Sequence, residues 1–533
     1  MGNDFTYDVV VVGGGIAGLT STAYASRNGC STLLCEKGAK LGGLVNSFRQ
    51  NGFTFDGGIR AFENSGIVFP MLKQLGIELD VVRNPVSIGL EDDMVRLRDR
   101  ESLSDYREML CRKFPENIED VGRITTEIKK VMGYMDVLYG IDNSLFMENY
   151  KHDRDYLLKT LLPWLVRYKL SMRKVKKLNE PINEYLKKFT DNQSLIDMIT
   201  QHFFSNTPSF FALSYFGLYL DYSYPVGGTG ALVDRMREYI AANKGEICTG
   251  TEVSLVDLEA KQIKTSDGRV FGYRSLIWCA DMGKLYSSVD IDSVASRDLR
   301  DRIGEQRKLI SGNKGGDSII SLYISVDIEN SWFEKICGSH MFYTPETTGL
   351  SSLKKMTVRD DRQEIREWIE GYLSLNTYEI SCPVLRDASL APEGKTGLIV
   401  STLMDYSLVK KVEEDGWYSE FKDLCSDTII SVLDKSIFPG IEEKTIDVIC
   451  STPLTIERLT GNRGGAITGW AFADHKLPAE NRFESISKAV NTPMPNIYQA
   501  GQWSFSPSGL PISILTGKLA ADAACSERTT DSD

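Results

Sequence analysis

The sequence predicts an α/β chain, in which a Rossmann-like dinucleotide-binding domain built from discontinuous segments is joined to an α+β domain. Three observations carry that prediction. A run of four valines, Val9 to Val12, leads straight into a glycine-rich turn. An acidic residue, Glu36, closes a second short apolar run. Near the other end of the chain, Ala500-Gly501 and the turn Gly509-Leu510-Pro511 precede a helix of small residues.

Tyr7 to Val12 reads as a buried parallel strand because it is mostly apolar and turn-forming glycines follow at once. Gly13-Gly14-Gly15-Ile16-Ala17-Gly18 comes next, then a small-residue helix ending near Asn28-Gly29 and a strand from Ser31 to Cys35. Gly13 permits the tight turn off the strand. Gly15 lets the backbone approach a pyrophosphate, which then sits on the helix N-terminus at Ile16 and Ala17. Gly18 lets the helix pack closely on the sheet. Glu36, followed by Lys37, is placed to accept hydrogen bonds from an adenosine ribose. A lone G-x-G-x-x-G also marks plain turns, whereas here strand, turn, helix, strand and acid agree at every step.

A second glycine pair, Gly42-Gly43, is followed by Leu44 and then by Gly52 to Gly58 and Ile59. An NAD site does not need this pair. The spacing resembles the flavin-containing amine oxidase and phytoene desaturase superfamily, in which the pair wraps FAD. Many relatives carry Arg or Cys where this chain has Leu44, so contacts from that side chain are not carried over. Asn496 to Gln502 with Gly509 to Pro511 resembles the strand, turn and helix that return to the cofactor in these proteins. Ser451 to Asn462, running on to Trp470, resembles the Thr-Gly-Asn stretch of phytoene desaturase-type flavoproteins, a group of carotenoid desaturases, carotenoid isomerases and retinol saturases. The resemblance implies a GR2-type FAD-binding domain. FAD would be held by Gly13, Gly15, Ile16, Ala17, Gly18, Glu36, Lys37, Gly42, Gly43, Leu44, Gly58, Ile59, Gly501, Gln502, Gly509, Leu510 and Pro511, with Val253 against the adenine.

On this reading the chain divides into six segments. Residues 1–95 open the FAD-binding domain, 96–224 form a mainly helical substrate- and membrane-facing region, and 225–290 return to the FAD-binding domain. Residues 291–454 supply the sheet and helices of the substrate domain, 455–525 close the FAD-binding domain, and 526–533 are a disordered polar tail. Helical character is expected from about Asn64 to Tyr224. Strands are expected at Gly245 to Ile247, Thr251 to Val253, Ser275 to Ala280, Ser318 to Val326 and Thr396 to Leu403.

Composition narrows the partners. A chain of 533 residues needs more than one core, and a hydrophobic share of 42% beside 25% charged residues is that of a globular protein. A net charge of −12 argues against nucleic acid, which needs a basic face. The ten cysteines form no CxxC pair and the four histidines stand far apart, so no metal site is expected. No signal peptide or spanning stretch is visible, which makes a cytoplasmic or membrane-peripheral location the expectation. The start, Met1-Gly2 with Thr6, fits a myristoylation pattern too short to carry weight.

The chemistry expected is FAD-dependent oxidoreduction of an apolar polyene or isoprenoid, carotenoid- or retinoid-like, by desaturation, saturation or redox-neutral isomerisation. Gly312 to Gly316 follows no buried strand and reads as a loop, so no second dinucleotide site is built in. Electrons would pass to or from oxygen, a quinone or a separate reductant. Phe203 to Tyr224, with nine aromatics, could wall an apolar channel or be ordinary core. Tyr156 to Lys177 mixes leucines, Trp164 and basic residues, as an interfacial membrane segment does, with Leu161, Leu162, Trp164 and Leu165 facing the acyl region. It could equally be a helix packed on its own domain, and Pro163 could split it. An amine oxidase and a non-catalytic lipid-binding protein on the same scaffold are the alternatives. No catalytic base can be named from spacing.

Overall fold

The computed structural model describes residues 6–139, 141–147, 154–354, 356, 361–472 and 477–530. Met1-Gly2, His152, His475 and the last three residues of the expected tail lie outside them.

The valine run is the centre of the first sheet. Its strand, Thr6–Val12, lies parallel between Thr32–Cys35 and Val270–Trp278, with Val10 opposite Leu33 and Leu276. Glu246–Cys248 extends one edge in parallel. The long strand Val270–Trp278 serves two neighbours, its first half pairing antiparallel with Gln262–Thr265 and its second half parallel with Ile497–Gln499. Val253–Asp257 closes the other edge. Segments from the start, middle and end of the sequence therefore share one sheet, and Val9 to Val12 are buried. Helix Ile16–Arg27 covers one face with the C-terminal helix Leu510–Thr530 alongside. The two helices approach closely: Ser21 Oγ donates to Gly517 O at 3.0 Å, and a Cβ on Gly517 would stand 2.7 Å from Ala17 O.

The second sheet runs Thr445–Ser451, Ser318–Val326, Thr396–Met404, Tyr378–Ser381, His340–Thr344, Val86–Leu90, Asp93–Leu97. Ser318–Val326 and Thr396–Met404 pair antiparallel over all nine residues. Helices Arg362–Leu375, Tyr406–Glu414 and Tyr418–Lys435 pack on one face. Against Tyr323 and Ile399 packs the hairpin Ser47–Gln50/Phe53–Asp56, through Phe53 and Phe55. Helices Ser102–Lys113, Ile118–Tyr139, Gln193–Thr200 and Ser209–Tyr219 form a further core with the last two strands.

Two expectations need correction. The stretch expected to be mainly helical from Asn64 contains the strands Val81–Arg83, Val86–Leu90 and Asp93–Leu97, the last of which straddles residue 95. Val86–Leu90 pairs in parallel with His340–Thr344, some 250 residues away, so nothing local announces it. The tail is also shorter than expected. The C-terminal helix continues to Thr530, so Ser526 is helical rather than part of a disordered tail.

Candidate functional site

The glycine turn forms a cradle in which each glycine has a distinct job. Gly13 has φ +103°, and a Cβ there would press on Ala280 N and Cys279 C at 3.0 Å. A Cβ on Gly18 would collide with the Gly13 carbonyl oxygen. Gly15 is different: a Cβ there would meet nothing within 4 Å, and its φ of −71° suits any residue. Packing and backbone conformation therefore do not require glycine at 15. The helix that starts beyond it has no side-chain cap and no acid in its first turn, so its N–H groups and dipole face that open space. This fits a pyrophosphate.

Glu36 closes one end of the cradle. Its Oε2 accepts from Gly14 N at 2.6 Å and its Oε1 from Gly38 N at 2.7 Å. The carboxylate thus also fixes the glycine turn, with lone pairs left for further donors. Thr251 N donates to Glu36 O at 2.7 Å, which brings buried Val253 to the same end. Lys37 is exposed and reaches towards Gly461.

The second glycine pair lies directly against the first turn. Gly42 N donates to Gly14 O at 2.8 Å, and a Cβ on Gly43 would stand 3.4 Å from Gly15 Cα. Leu44 contributes its backbone: its carbonyl accepts from Ile59 N at 3.0 Å, and it leaves no room for a Cβ on Gly58. The C-terminal residues arrive at the same place. Ala500 N donates to Trp278 O at 2.9 Å, and Gly501, with φ +92°, faces Ala17. The Gln502 backbone carbonyl lies against Gly469. Gly509, Leu510 and Pro511 begin the final helix, with Ser513 N bonded to Gly509 O at 3.0 Å. Asn462 of the Thr-Gly-Asn stretch accepts from Trp503 Nε1 at 3.3 Å.

Several residues were not legible in the sequence. Beyond Gly58, Asp56 accepts from Ser47 Oγ, Thr229 N, Thr229 Oγ1 and Tyr224 OH at 2.7–3.0 Å. Arg60 donates to Asp56 O at 2.6 Å and to Ser401 Oγ at 3.0 Å, tying the cradle to the second sheet. Arg386 bonds to Asn84 Oδ1 at 3.0 Å and Ser381 Oγ at 2.6 Å, and stacks 3.8 Å over Tyr224. His340 bridges Asn84 and Glu379 at 3.0 and 2.9 Å. Burial lowers the pKa of His340, whereas Glu379, although burial opposes it, is held below the usual carboxylate range by His340 and the two guanidiniums. These residues are scattered from 56 to 386, and each alone is an ordinary polar side chain.

The aromatic stretch divides. Phe203, Tyr215, Phe216 and Tyr219 line a cavity of about 60 Å³ with His202 and Phe342, whereas Phe210 and Tyr224 are buried away from it. The cavity is apolar but holds only a water or two as it stands. His202 lies in its wall, its Nε2 3.3 Å from Tyr219 OH, with its pKa pushed down to about 4 by burial. A larger space of about 410 Å³ opens beside Asn64, Asp136, Gly217 and Asp221.

The basic segment is one helical run through Arg154–Tyr156, a π-helical turn Leu157–Leu161 and Leu162–Val175. Pro163 does not split it, since the missing N–H falls where the π turn already interrupts the regular bonding. Trp164 does not face outward with the leucines. Its Nε1 donates to Val137 O at 2.6 Å and its ring packs on Tyr168, centroids 5.0 Å apart. Leu158, Leu162, Val166 and Leu170, at every fourth position, are instead 53–64% exposed, with Leu165 beside them at 38%.

Residues 11–75 match the NAD(P)-binding Rossmann-like domain. A chloroplastic prolycopene isomerase of Daucus carota is 23% identical over 491 residues, covering 87% of this chain and 72% of the relative. An all-trans-retinol 13,14-reductase of Danio rerio is 23% identical, covering 93% of this chain and 82% of the relative. A 4,4'-diapophytoene desaturase (4,4'-diaponeurosporene-forming) of Staphylococcus aureus (strain COL) is 21% identical, covering 96% and 98%. The solved structure of an oxidoreductase from Methanosarcina mazei superposes with a TM-score of 0.59 at 16% identity, covering 97% of this chain and 99% of that one. The similarity runs the length of the chain and not only through its glycine-rich ends, and at low identity the chain is similar to proteins named for carotenoid isomerisation, retinol reduction and diapophytoene desaturation.

Proposed function

We propose that the chain is an FAD-dependent oxidoreductase acting on an apolar polyene or isoprenoid, carotenoid- or retinoid-like, by desaturation, saturation or redox-neutral isomerisation. The observation that carries this reading is the open space at Gly15, faced by an uncapped helix N-terminus and closed by the Gly42-Gly43 pair. The similar proteins bear names spanning isomerisation, reduction and desaturation, which supports the reaction class. FAD, when bound, supplies the two-electron acceptor or donor for a hydride.

The chain's own residues would divide the work. Gly13, Gly15, Ile16, Ala17 and Gly18 hold the pyrophosphate on the helix N-terminus. Glu36 takes the ribose hydroxyls and Val253 packs on the adenine. Gly58, Ile59, Gly501, Gln502 and Gly509 to Pro511 border the ring, beside the Arg60 cluster. An external acceptor or donor, such as oxygen, a quinone or a reductant, completes the cycle.

Delivery of such a substrate would use the membrane surface. Among the described residues no helix is long and apolar enough to cross a membrane. The exposed stripe from Leu158 to Leu170 is flanked by exposed Lys159, Arg167, Lys169, Arg173 and Lys174 on a protein of net charge −12, which suits reversible docking on anionic lipid.

Two measurements test the proposal. Denaturing the purified protein and identifying the released flavin should give FAD, and FMN or no flavin would overturn the cofactor. Anaerobic incubation of the oxidised and of the pre-reduced protein with carotenoids, retinoids and amines should give product or a change of flavin redox state with the polyenes. Flavin reduction by amines alone would replace the substrate class.

A further inference from the structure

One carboxyl group stands without a partner where the N- and C-terminal parts of the cradle meet. Glu63 belongs to the two-residue strand Phe62–Glu63, which follows the Gly57-Gly58 turn and pairs with Tyr222 and Ser223. Its Oε1 lies 3.4 Å from where a Cβ on Gly509 would be, so it faces the first turn of the C-terminal helix. Among the described residues its carboxyl accepts no hydrogen bond and forms no ion pair. Protein surrounds it on most sides, yet the side chain is only half-buried.

A carboxyl mostly surrounded by protein usually finds a donor there, and Glu63 has none, so its lone pairs are left to solvent or to a bound molecule. The two backbone donors that follow it in the chain are committed elsewhere: Asn64 N and Ser65 N donate to Asp221 Oδ2 at 3.0 and 3.4 Å. Asp221 is the charged group facing Glu63, Tyr222 on the paired strand is the other titratable neighbour, and Gly509 and Pro511 bring none. Burial first, and the Asp221 charge second, push the Glu63 carboxyl up to about 7. A group held at that value can both give and take a proton near neutral pH, which is what a general acid–base needs.

We propose that Glu63 is the catalytic residue that exchanges a proton with the substrate beside the flavin ring. The inference rests on the FAD reading above and supplies the group that reading leaves unnamed. In desaturation, one C–H bond breaks with its electron pair leaving as hydride, which reduces FAD by two electrons. The C–H bond on the neighbouring carbon breaks with its electron pair forming the new C=C bond, and its proton passes to the Glu63 carboxylate. Saturation would run the same bonds in reverse, a hydride from the two-electron donor adding to one carbon while the Glu63 carboxylic acid gives H⁺ to the other. In isomerisation the same groups add and then remove what they added, with no net redox change.

The test uses the purified holoprotein and three variants, Glu63→Gln, Glu63→Asp and Asp221→Asn. Visible spectra of the bound flavin from pH 5.5 to 9 should show, in the wild type, a one-proton transition near 7. Glu63→Gln should keep its FAD and lose the transition, and Asp221→Asn should keep the transition at lower pH, since a like charge is gone. In the anaerobic assay, the rate of flavin redox change with the reactive polyene should fall roughly 100-fold or more in Glu63→Gln, with partial recovery in Glu63→Asp. FAD present with a pH-independent spectrum, a transition surviving in Glu63→Gln, or an unchanged rate in that variant would each overturn the role of Glu63 while leaving the flavoprotein reading standing. A wild type without FAD would overturn both.

Discussion

Gly15 and Gly18 stand three residues apart in one turn, yet a side chain at each should fail in a different way. A Cβ at 18 strikes the Gly13 carbonyl, so Gly18→Val should cost soluble protein. At 15 neither φ nor packing objects, so Gly15→Val should melt as the flavin-free wild type does and bind no FAD. Normal FAD content in a folded Gly15→Val would displace the cofactor from this cradle. Glu36→Ala should weaken FAD binding about ten- to a hundredfold by equilibrium titration, the worth of about 1.5–3 kcal/mol for hydrogen bonds to a charged group. Part of that loss comes from releasing Gly14 and Gly38. His202 gives the pH dependence. Its folded pKa of about 4 lies below the unfolded 6.5, so between those values the unfolded chain takes up a proton that the folded chain refuses. Stability from this group is complete above pH 6.5 and is lost as pH falls towards 4. The urea midpoint should drop from pH 7 to pH 5, and by less in His202→Gln.

At the scale of the element, the helix through Leu162–Val175 separates two faces that the sequence mixes. The inward face carries Trp164, Met172 and Val175, and the outward face carries Leu158, Leu162, Val166 and Leu170. Co-sedimentation with anionic liposomes at low salt should therefore be lost in Leu162→Glu/Val166→Glu with the melting temperature unchanged. Trp164→Ala should lower the melting temperature, because it removes the bond to Val137 and the ring packing on Tyr168. Salt should weaken binding by the wild type, since each basic residue near the surface contributes on the order of 1 kcal/mol and is screened. Indifference of the wild type to liposomes would make the stripe a surface for something other than lipid.

At the scale of the whole molecule, the first domain is closed by the last part of the chain. Ile497–Gln499 pairs with Val270–Trp278, and Leu510–Thr530 packs against the glycine-turn helix. A chain ending at residue 495 would leave the apolar side of that helix and a sheet edge uncovered. It should express as insoluble or unfolded protein rather than as a smaller flavoprotein, as circular dichroism and flavin content would report. Soluble, FAD-bound protein from that truncation would show that the N-terminal segments carry their own core.

The glycine turn, its strands and helix, the acid at 36 and the returning C-terminal turn were legible in the sequence because each is local: a few residues of fixed type set a φ, a close approach or a buried strand. The longest strands of the second sheet were legible for the same reason, as short runs rich in apolar and β-branched residues. Val86–Leu90 was not, because it is a strand only by virtue of His340–Thr344. Nor was the cluster of Arg60, Asn84, His340, Glu379 and Arg386, whose members share no spacing and meet only when the two sheets pack. Glu63 gave no signal at all. The sequence placed it after a glycine turn, but its missing partner and its position against Gly509 exist only once residues 63, 221 and 509 are brought together. Local chemistry thus determined the glycine-rich turns, and long-range packing, which alone decides which polar groups lose water and what they face, determined the polar groups gathered beside them.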